Sequence, residues 1–268
     1  MPAAVGSPPR RLALVFRLAL LLLAAPPAGA VQDIEPDRPD VSVSPGTVPA
    51  GSVQVETGLA AERESRGGRP DERRVAVEAA LRLGLTERLE LRLEGEPFVR
   101  LRGDGEDRGP GDVRIGAKYR LLDGDERRPA LGLLGTVTLP VGEEPTGAER
   151  PQYALVGTAL FALPGDVSLV LNAGVAAIGR SRPSGYLVQG FGTAEVQADL
   201  WAQRLEAYAE LFGSTPEERG GRERIGAGAG LVFRLAPRLA IDAGVETTVA
   251  GSGPEWAVRA GVSARFRR

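Results

Sequence analysis

Histidine and cysteine are both absent from this sequence of 268 residues. Their absence excludes Ser-His and Asp-His hydrolase sites, cysteine nucleophiles and ordinary zinc sites. It also excludes a disulfide framework and an acylated N-terminal cysteine. Only carboxylate pairs remain as candidate catalysts. We therefore predict no enzymatic activity, no catalytic residues, no metal site and no cofactor.

Long apolar runs are also missing, with one exception at the N-terminus. Arg10 and Arg11 precede an apolar stretch over residues 12–25, and Ala28-Gly29-Ala30 supplies the small residues of a cleavage site. The stretch, about fourteen residues long, is short for a helical span of a roughly 30 Å hydrocarbon layer. We predict that residues 1–30 are a cleaved secretory signal peptide.

Neither sign of charge is in large excess. Removing the three arginines of the signal from 33 basic side chains leaves 30, against 35 acidic ones. This balance gives no reason to expect nucleic acid as a partner. After the signal, no apolar run approaches the twenty or so residues of a transmembrane helix. If the mature chain meets a membrane, it must cross with strands.

From residue 51 onward, apolar residues alternate with polar ones, which is the period of strands. In the stretch that begins at Asp112, Val113 and Ile115 point one way while Arg114 and Lys118 point the other. The pattern recurs and predicts about twelve strands. The clearest cover 75–83, 89–94, 112–121, 167–177, 204–212, 224–234, 239–248 and 256–266, and weaker ones lie near 52–62, 130–139, 153–162 and 186–199.

The links between these strands alternate in length. Charged links rich in glycine and proline, such as "RGDGEDRGPG", alternate with compact turns such as "LPGD" and "LAPR". Strands of ten or eleven residues, tilted by roughly 40°, cover about 25–28 Å along a membrane normal. We predict an all-β fold over residues 51–268: a closed, antiparallel transmembrane β-barrel of about 12 strands, an up-and-down meander in the outer membrane of a Gram-negative bacterium.

Aromatic residues make up only 5% of the chain, and most lie near predicted strand ends. Amphipathic rings at these positions are typical of the girdles that mark the membrane interface. The predicted girdle consists of Phe98, Tyr153, Phe161, Tyr186, Trp201, Phe212, Trp256 and Phe266.

Charged residues at alternate strand positions predict a polar lumen. Basic residues dominate in the first half of the chain and acidic ones in the second, so facing walls are expected to carry opposite signs. The predicted pore-lining residues are Arg82, Glu90, Arg92, Glu94, Arg114, Lys118, Arg120, Glu195, Asp199, Glu206, Glu210, Asp242, Glu246 and Arg259.

The acids of the second half admit two interpretations. Glu195 and Asp199 on one strand, with Glu206 and Glu210 on the next, could bind Ca²⁺ or raise one another's carboxyl pKa. Alternatively, they oppose arginines and hydrate the lumen, which is the interpretation we favour.

Residues 31–50 form a proline-rich N-terminal segment with two alternatives. In the first, Asp37, Arg38 and Asp40 fold into the lumen and plug it by pairing with its charges. In the second, which we favour, the prolines, Pro39 among them, keep a periplasmic tail extended and unable to add a strand.

"DRPD", "SPGTVPAG", "VQVETG", "GDVRIGAKYRL" (111–121) and "GTVTLPVG" (135–142) resemble a Gram-negative outer-membrane transporter family associated with the meta-pathway of phenol degradation. The resemblance covers nearly the whole mature chain. It implies an outer-membrane barrel that passes small, aromatic or apolar molecules. Where this family commonly ends on an aromatic residue, this chain adds Arg267 and Arg268.

We therefore expect a monomeric channel that admits small molecules passively through a charge-lined lumen. Its expected partners are outer-membrane lipid, the barrel-assembly machinery and small-molecule solutes. One rival is a closed structural or surface-interaction barrel without a conducting pore. The other is a secreted, soluble β-sandwich.

Overall fold

A computed structural model of the chain describes residues 33–65, 71–180, 185–217 and 220–267, except for the side chain of Arg180. The predicted signal peptide lies outside the described residues. Within them, thirteen strands account for almost all of the regular structure.

The strand bounds follow the alternating segments of the sequence. They are β1 (Ser52–Glu64), β2 (Glu72–Gly84), β3 (Leu89–Arg102), β4 (Glu106–Gly109), β5 (Val113–Leu122), β6 (Ala130–Leu139), β7 (Gln152–Leu163), β8 (Val167–Arg180), β9 (Gly185–Leu200), β10 (Leu205–Ser214), β11 (Arg224–Ala236), β12 (Leu239–Gly251) and β13 (Trp256–Arg267).

Each long strand pairs antiparallel with the next long strand along the chain. The sheet closes because β1 pairs with β13, with Ser52 opposite Arg267 and Arg63 opposite Trp256. The short strand β4 pairs only with the end of β3. The prediction of a closed, up-and-down antiparallel barrel of about twelve strands is confirmed. The described residues contain no helix long and apolar enough to cross a membrane.

The links sort between the two ends of the barrel. Short turns at 85–88, 164–166, 201–204 and 237–238 lie at the end where β1 begins, which we call the inner end. Long links at 103–112, 140–151 and 215–223 lie at the other end, which we call the outer end. Among the links that the structure describes in full, two break the rule: 123–129 is longer than its inner-end neighbours, and 252–255 is short for the outer end.

The two parities of each strand face different surroundings. On β5, Ile115 points outward with 49% of its surface exposed, whereas Lys118 points into the barrel and is fully buried. On β13, Val258 and Val262 are exposed on the outer face. An apolar outer face and a charged inner face are typical of barrels that are surrounded by lipid and enclose a polar lumen.

The wall is interrupted on one side, near the outer end of β3. This strand pairs with β5 from Leu89 to Gly95 and then with β4 from Val99 to Arg102. The register of β2 against β3 also shifts between Val77 and Ala79. Pro97 lies at the break and has no N–H to donate to a neighbouring strand.

The structure corrects our placement of the N-terminal segment. Residues 33–50 lie inside the barrel, where Ile34, Ser42 and Val48 are buried. A periplasmic tail would leave these residues in water. The arrangement is that of the plug alternative, and the physical reason is that the barrel interior supplies hydrogen-bonding and ionic partners along the whole segment.

Candidate functional site in the barrel lumen

The N-terminal segment, described over residues 33–50, enters and leaves the lumen at the inner end. Its first three backbone carbonyls accept hydrogen bonds from side chains of the wall. The pairs are Asp33 with Arg265, Ile34 with Arg234, and Glu35 with Gln54 and Arg82. On its return, the Val48 N–H donates to Glu90 and the Thr47 hydroxyl to the Glu87 carbonyl. Both ends of the segment are therefore fixed.

Asp37 lies among three basic residues of β2, β3 and β5. Its carboxylate is 2.7 Å from Arg92, 2.8 Å from Lys118 and 3.5 Å from Arg82. Burial favours the protonated acid, but Arg82, Lys118 and Arg92 together outweigh it and hold the Asp37 pKa well below its ordinary value. The carboxylate is therefore ionised and neutralises this wall.

Across the lumen, the segment meets acidic side chains of β9 and β10. Glu210 accepts hydrogen bonds from the backbone N–H groups of Val41 and Ser42, at 3.0 and 3.1 Å. Asp40 lies against Glu195 and near Glu210. Burial, followed by these two carboxylates, raises the pKa of Asp40 well above its ordinary value. Burial and the crowding of carboxylates therefore favour a protonated carboxyl at Asp40.

Between these contacts, the segment bonds to β7 and β8. The Val43 N–H donates to the side-chain oxygen of Asn172 at 2.7 Å. The Val43 carbonyl accepts from the Asn172 amide at 2.9 Å and from the Thr158 hydroxyl. Because Asn172 and Lys118 stand on different sides of the lumen, the segment crosses it rather than following one wall.

Three glycines on the lumenal face of the barrel wall lie close to the segment. A Cβ at Gly261 would lie 2.8 Å from Nε of Arg38, and one at Gly132 would lie 3.0 Å from the Cα of Pro45. A Cβ at Gly244 would lie 2.9 Å from Cγ of Pro39. Larger residues at these positions would collide with the segment and also with neighbouring wall atoms of Thr57, Thr158 and Tyr208. We call the lumenal wall residues that contact the segment, these glycines included, the seat.

Arg38 joins the segment to two further acids. Its guanidinium lies 2.5 Å from Glu78 on β2 and 3.5 Å from Asp242 on β12. With Asp37 on one wall and Arg38 on another, "DRPD" carries both signs into the lumen. The four N-terminal residues predicted as a motif, Asp37, Arg38, Pro39 and Asp40, all contact the barrel interior.

Above the segment, a vestibule of about 700 Å³ opens toward the outer end. Residues 145–148 of the β6–β7 link line it from above, and Asp37–Val43 line it from below. The carboxylate of Asp112 holds this link by accepting the N–H groups of Gly142 at 3.1 Å and Ala148 at 2.7 Å. The mouth is thereby narrowed by a folded link.

A second cavity, of about 370 Å³, opens on the outer face at the break in the wall. Its lining is mostly apolar and includes Leu81, Leu93, Pro97 and Val141. The wall between this cavity and the vestibule is thin, because both are lined by Ala79, Ala80 and Gly95 together with Glu94 and Glu96. An apolar molecule at this point would lie beside the polar interior.

The predicted pore-lining residues share the inward parity, but they do different things. Arg82, Glu90, Arg92, Lys118, Glu195 and Glu210 are buried in or beside the seat. Arg114, Glu94, Glu246 and Arg259 line the vestibule, and Asp242 pairs with Arg38. Asp199 and Glu206 pair with Arg234 near the inner end, where Arg120 pairs with Asp123.

Seven of the eight predicted girdle residues lie at or near strand ends. Six of them stand at outward positions of their strands, and Trp201, in the turn after β9, is exposed. Tyr153 and Tyr186 contact each other there, with ring centroids 6.0 Å apart. Phe212 is a correction, because it is 7% exposed and points into the lumen. The Arg224 guanidinium lies 4.9 Å from its ring centroid. Phe212 shares the parity of Glu210, so the alternation itself identifies it as inward-facing.

Several residues of the seat were missed in the sequence. Glu56, buried on β1, lies 2.8 Å from Arg82. Asn172, Thr158 and Arg234 also contact the segment, as described above. Glu56 and Arg234 are charged residues at inward positions of their strands, so the sequence could have identified them as lumenal. Asn172 and Thr158 are uncharged, so nothing in the sequence distinguishes them from other polar wall residues.

The acidic group at Glu195 and Glu210 has no metal-like arrangement. Among the described residues, no group of three or more acidic side chains has the geometry to hold a metal ion. Glu210 accepts backbone N–H groups of the segment, and Asp40 lies near both acids. Their described contacts are with the protein itself.

The fold and the site define a closed β-barrel with a polar lumen that its own N-terminal segment crosses. This is the fold of outer-membrane channels. An outer membrane channel from Pseudomonas putida F1 matches 87% of this chain and 100% of its own, with a TM-score of 0.69 and 16% identity. The chain belongs to the family described as "Putative MetA-pathway of phenol degradation", whose sequence pattern matches residues 36–266. The resemblance noted in the sequence is confirmed.

Two further solved structures share the fold. The NanC porin matches 79% of this chain and 98% of its own, with a TM-score of 0.54 and 10% identity. The β domain of the Bordetella autotransporter BrkA matches 80% and 99%, with a TM-score of 0.53 and 15% identity. At these identities, the likeness concerns the fold alone. No curated protein matches the sequence.

Proposed function

We propose that the protein is an outer-membrane channel that admits small molecules passively through its charge-lined lumen, and that the N-terminal segment closes this lumen at rest. The observation that carries the proposal is the seat, in which Asp37 pairs with Arg92 and Lys118 while Val41 and Ser42 bond to Glu210. Displacing the segment would expose ionised walls that attract and orient polar solutes.

The outer-membrane location is part of this proposal. The family, the likeness to outer-membrane barrels and the exposed apolar face all support it. A rigid structural barrel would have no need of a separate segment held by polar contacts, since apolar side chains could fill the lumen at lower desolvation cost.

Single-channel recording tests the closure. Wild-type protein and a variant without residues 31–50 are refolded and inserted into planar bilayers, with heat-modifiable gel mobility as the control for an intact barrel. We expect brief, small openings from the wild type and steady, larger conductance from the deletion variant. Lys118→Glu in the deletion background should shift ion selectivity toward cations. Silent bilayers with intact barrels would instead support the closed structural barrel.

The apolar cavity at the wall break favours a second route, for apolar or aromatic solutes. Leu81→Trp would fill this cavity, and Leu133→Trp on β6 is the matched control on the outer face. We expect Leu81→Trp to slow liposome swelling with aromatic acids and leave swelling with sugars unchanged. Equal effects of the two variants would contradict a role for the cavity.

A further inference from the structure

Arginines stand directly opposite one another on the outer face of β1–β4, near the outer end. Arg63 pairs in register with Arg73, and Arg73 pairs with Arg102. One pair lower, Arg100 stands opposite Arg108. Like charges at directly opposed positions destabilise an antiparallel sheet, because their Cβ atoms are only about 4.5–5.5 Å apart. A bound anion would offset the repulsion between these opposed arginines.

The register also fixes the height and the direction of this cluster. Phe98 stands opposite Val77, and Arg100 stands opposite Val75, whose side chain is exposed on the outer face. Trp256 stands opposite Arg63. The cluster thus begins where the apolar band ends, at the level that aromatic rings mark as the headgroup region.

Among the described residues, carboxylates are too few to balance the cluster. Glu106 lies 2.7 Å from Arg100 and 3.7 Å from Arg102, and Asp71 lies 2.5 Å from Arg63. Glu255 is 3.9 Å from Arg63. Three acids thus serve five arginines. On the lumenal face of the same strands, by contrast, Arg74 lies between Glu62 and Glu96.

We propose that Arg63, Arg73, Arg100, Arg102 and Arg108 bind the phosphate groups of a lipid headgroup in the outer leaflet. A guanidinium matches phosphate with two parallel hydrogen bonds, which an ammonium cannot do. The side chains of Arg100 and Arg102 are 43% and 63% exposed and stand at the headgroup level, so a membrane phosphate reaches them from the side. The inference rests on the proposed insertion of the barrel in an outer membrane.

The test compares two triple variants that lose the same charge. Arg73→Gln with Arg100→Gln and Arg102→Gln removes the centre of the cluster. Arg88→Gln with Arg127→Gln and Arg128→Gln removes three exposed arginines at the inner end. Each protein is reconstituted in phosphatidylcholine vesicles with and without diphosphorylated lipid A. The temperature at which the heat-modifiable band unfolds is then measured.

We expect lipid A to raise this temperature for the wild type and the inner-end variant, and to leave the cluster variant nearly unchanged. Lipid A titrations should show at least about tenfold weaker binding to the cluster variant, given the usual strength of charge-assisted hydrogen bonds. An equal response of all three proteins would overturn the proposal. An equal response to dephosphorylated lipid A, or to inorganic phosphate alone, would also overturn it. Conductance in vesicles without lipid A tests the channel function separately.

Discussion

The hydroxyl oxygens of Ser42 in the N-terminal segment and Thr193 in β9 lie 2.8 Å apart. The two side chains thus touch, which makes them a candidate pair for a disulfide after substitution by cysteine. Because the chain has no cysteine, an introduced pair would be its only thiols. We expect oxidised Ser42→Cys/Thr193→Cys protein to be locked closed, and reduction to restore wild-type openings in single-channel records.

The single variants Ser42→Cys and Thr193→Cys control for the loss of the hydroxyls. Both should be insensitive to the redox state. Full conductance of the oxidised pair, with the cross-link verified by mass spectrometry, would show that the segment does not close the lumen.

Asp37 is the charge that the segment contributes to the basic wall. Asp37→Asn leaves Arg82, Arg92 and Lys118 facing a neutral amide, and removing one partner of a dry buried pair costs roughly 3–5 kcal/mol. Because the amide oxygen of asparagine can still accept hydrogen bonds from these residues, we expect a smaller loss, seen as an increase of about tenfold in the ratio of open to closed time. Arg114→Gln is the control, since Arg114 lines the vestibule with 54% of its side chain exposed. Equal ratios in the two variants would contradict the role of Asp37.

Two glycines on β6 provide a steric test of the seat. A Cβ at Gly132 would lie 3.0 Å from the Cα of Pro45, whereas one at Gly135 would meet only Leu155, at 3.9 Å. We expect Gly132→Val to displace the segment and make protease cleavage within residues 33–50 faster. Gly135→Val should leave cleavage at the wild-type rate. Protection of both variants would mean that the segment tolerates the added side chain.

The barrel itself was predictable because the alternation of apolar and polar residues along each strand identifies its outward and inward faces. The alternation around Val113 and Lys118 depends on local sequence, and it correctly gave the inward and outward sides. The register shift between Val77 and Ala79 was not predictable, since it depends on how two strands share an irregularity. The short strand β4 was missed for a similar reason: its "EDRG" has no apolar alternation and is held only by the end of β3.

The position of the N-terminal segment was harder to predict. Its prolines fit an extended tail as well as a lumenal segment, because both conformations lack strand pairing. What distinguishes them is the set of partners, which come from β1–β3, β5 and β7–β13 and converge only when the barrel closes. The charges of "DRPD" suggested the plug alternative. The steric role of Gly132, by contrast, depends on the proximity of Pro45, which the sequence does not show.

The conductance is expected to depend on pH through Asp40. In the seat, burial and the carboxylates of Glu195 and Glu210 raise its pKa, with Asp37 and Tyr208 also nearby. Protonated Asp40 stabilises the segment inside the lumen. This stabilisation is complete below about pH 3.9, the ordinary pKa of an aspartate, and declines as the pH rises toward the raised pKa. Asp37 acts in the opposite direction, but its contribution is lost only in strong acid, as the pH falls from its ordinary pKa to its lowered one.

We therefore expect the open probability to rise as the pH increases from 5. Because the chain has no histidine, no side chain of ordinary pKa titrates between pH 5 and 8. Asp40→Asn should flatten the response when single channels are recorded across this range. A pH response that persists unchanged in Asp40→Asn would assign the effect to another group.

The narrowing at the outer mouth is expected to depend on Asp112. Asp112→Ala removes the acceptor of the Gly142 and Ala148 N–H groups, so the β6–β7 link should leave the vestibule. In the variant lacking residues 31–50, this change should increase conductance and admit larger sugars in liposome swelling, because the link is then the main obstruction above the open lumen. Asp123→Ala, at the inner end, is the control. If Asp112→Ala loosens the link, as hydrogen exchange would report, yet leaves the size limit unchanged, the limit lies deeper in the barrel.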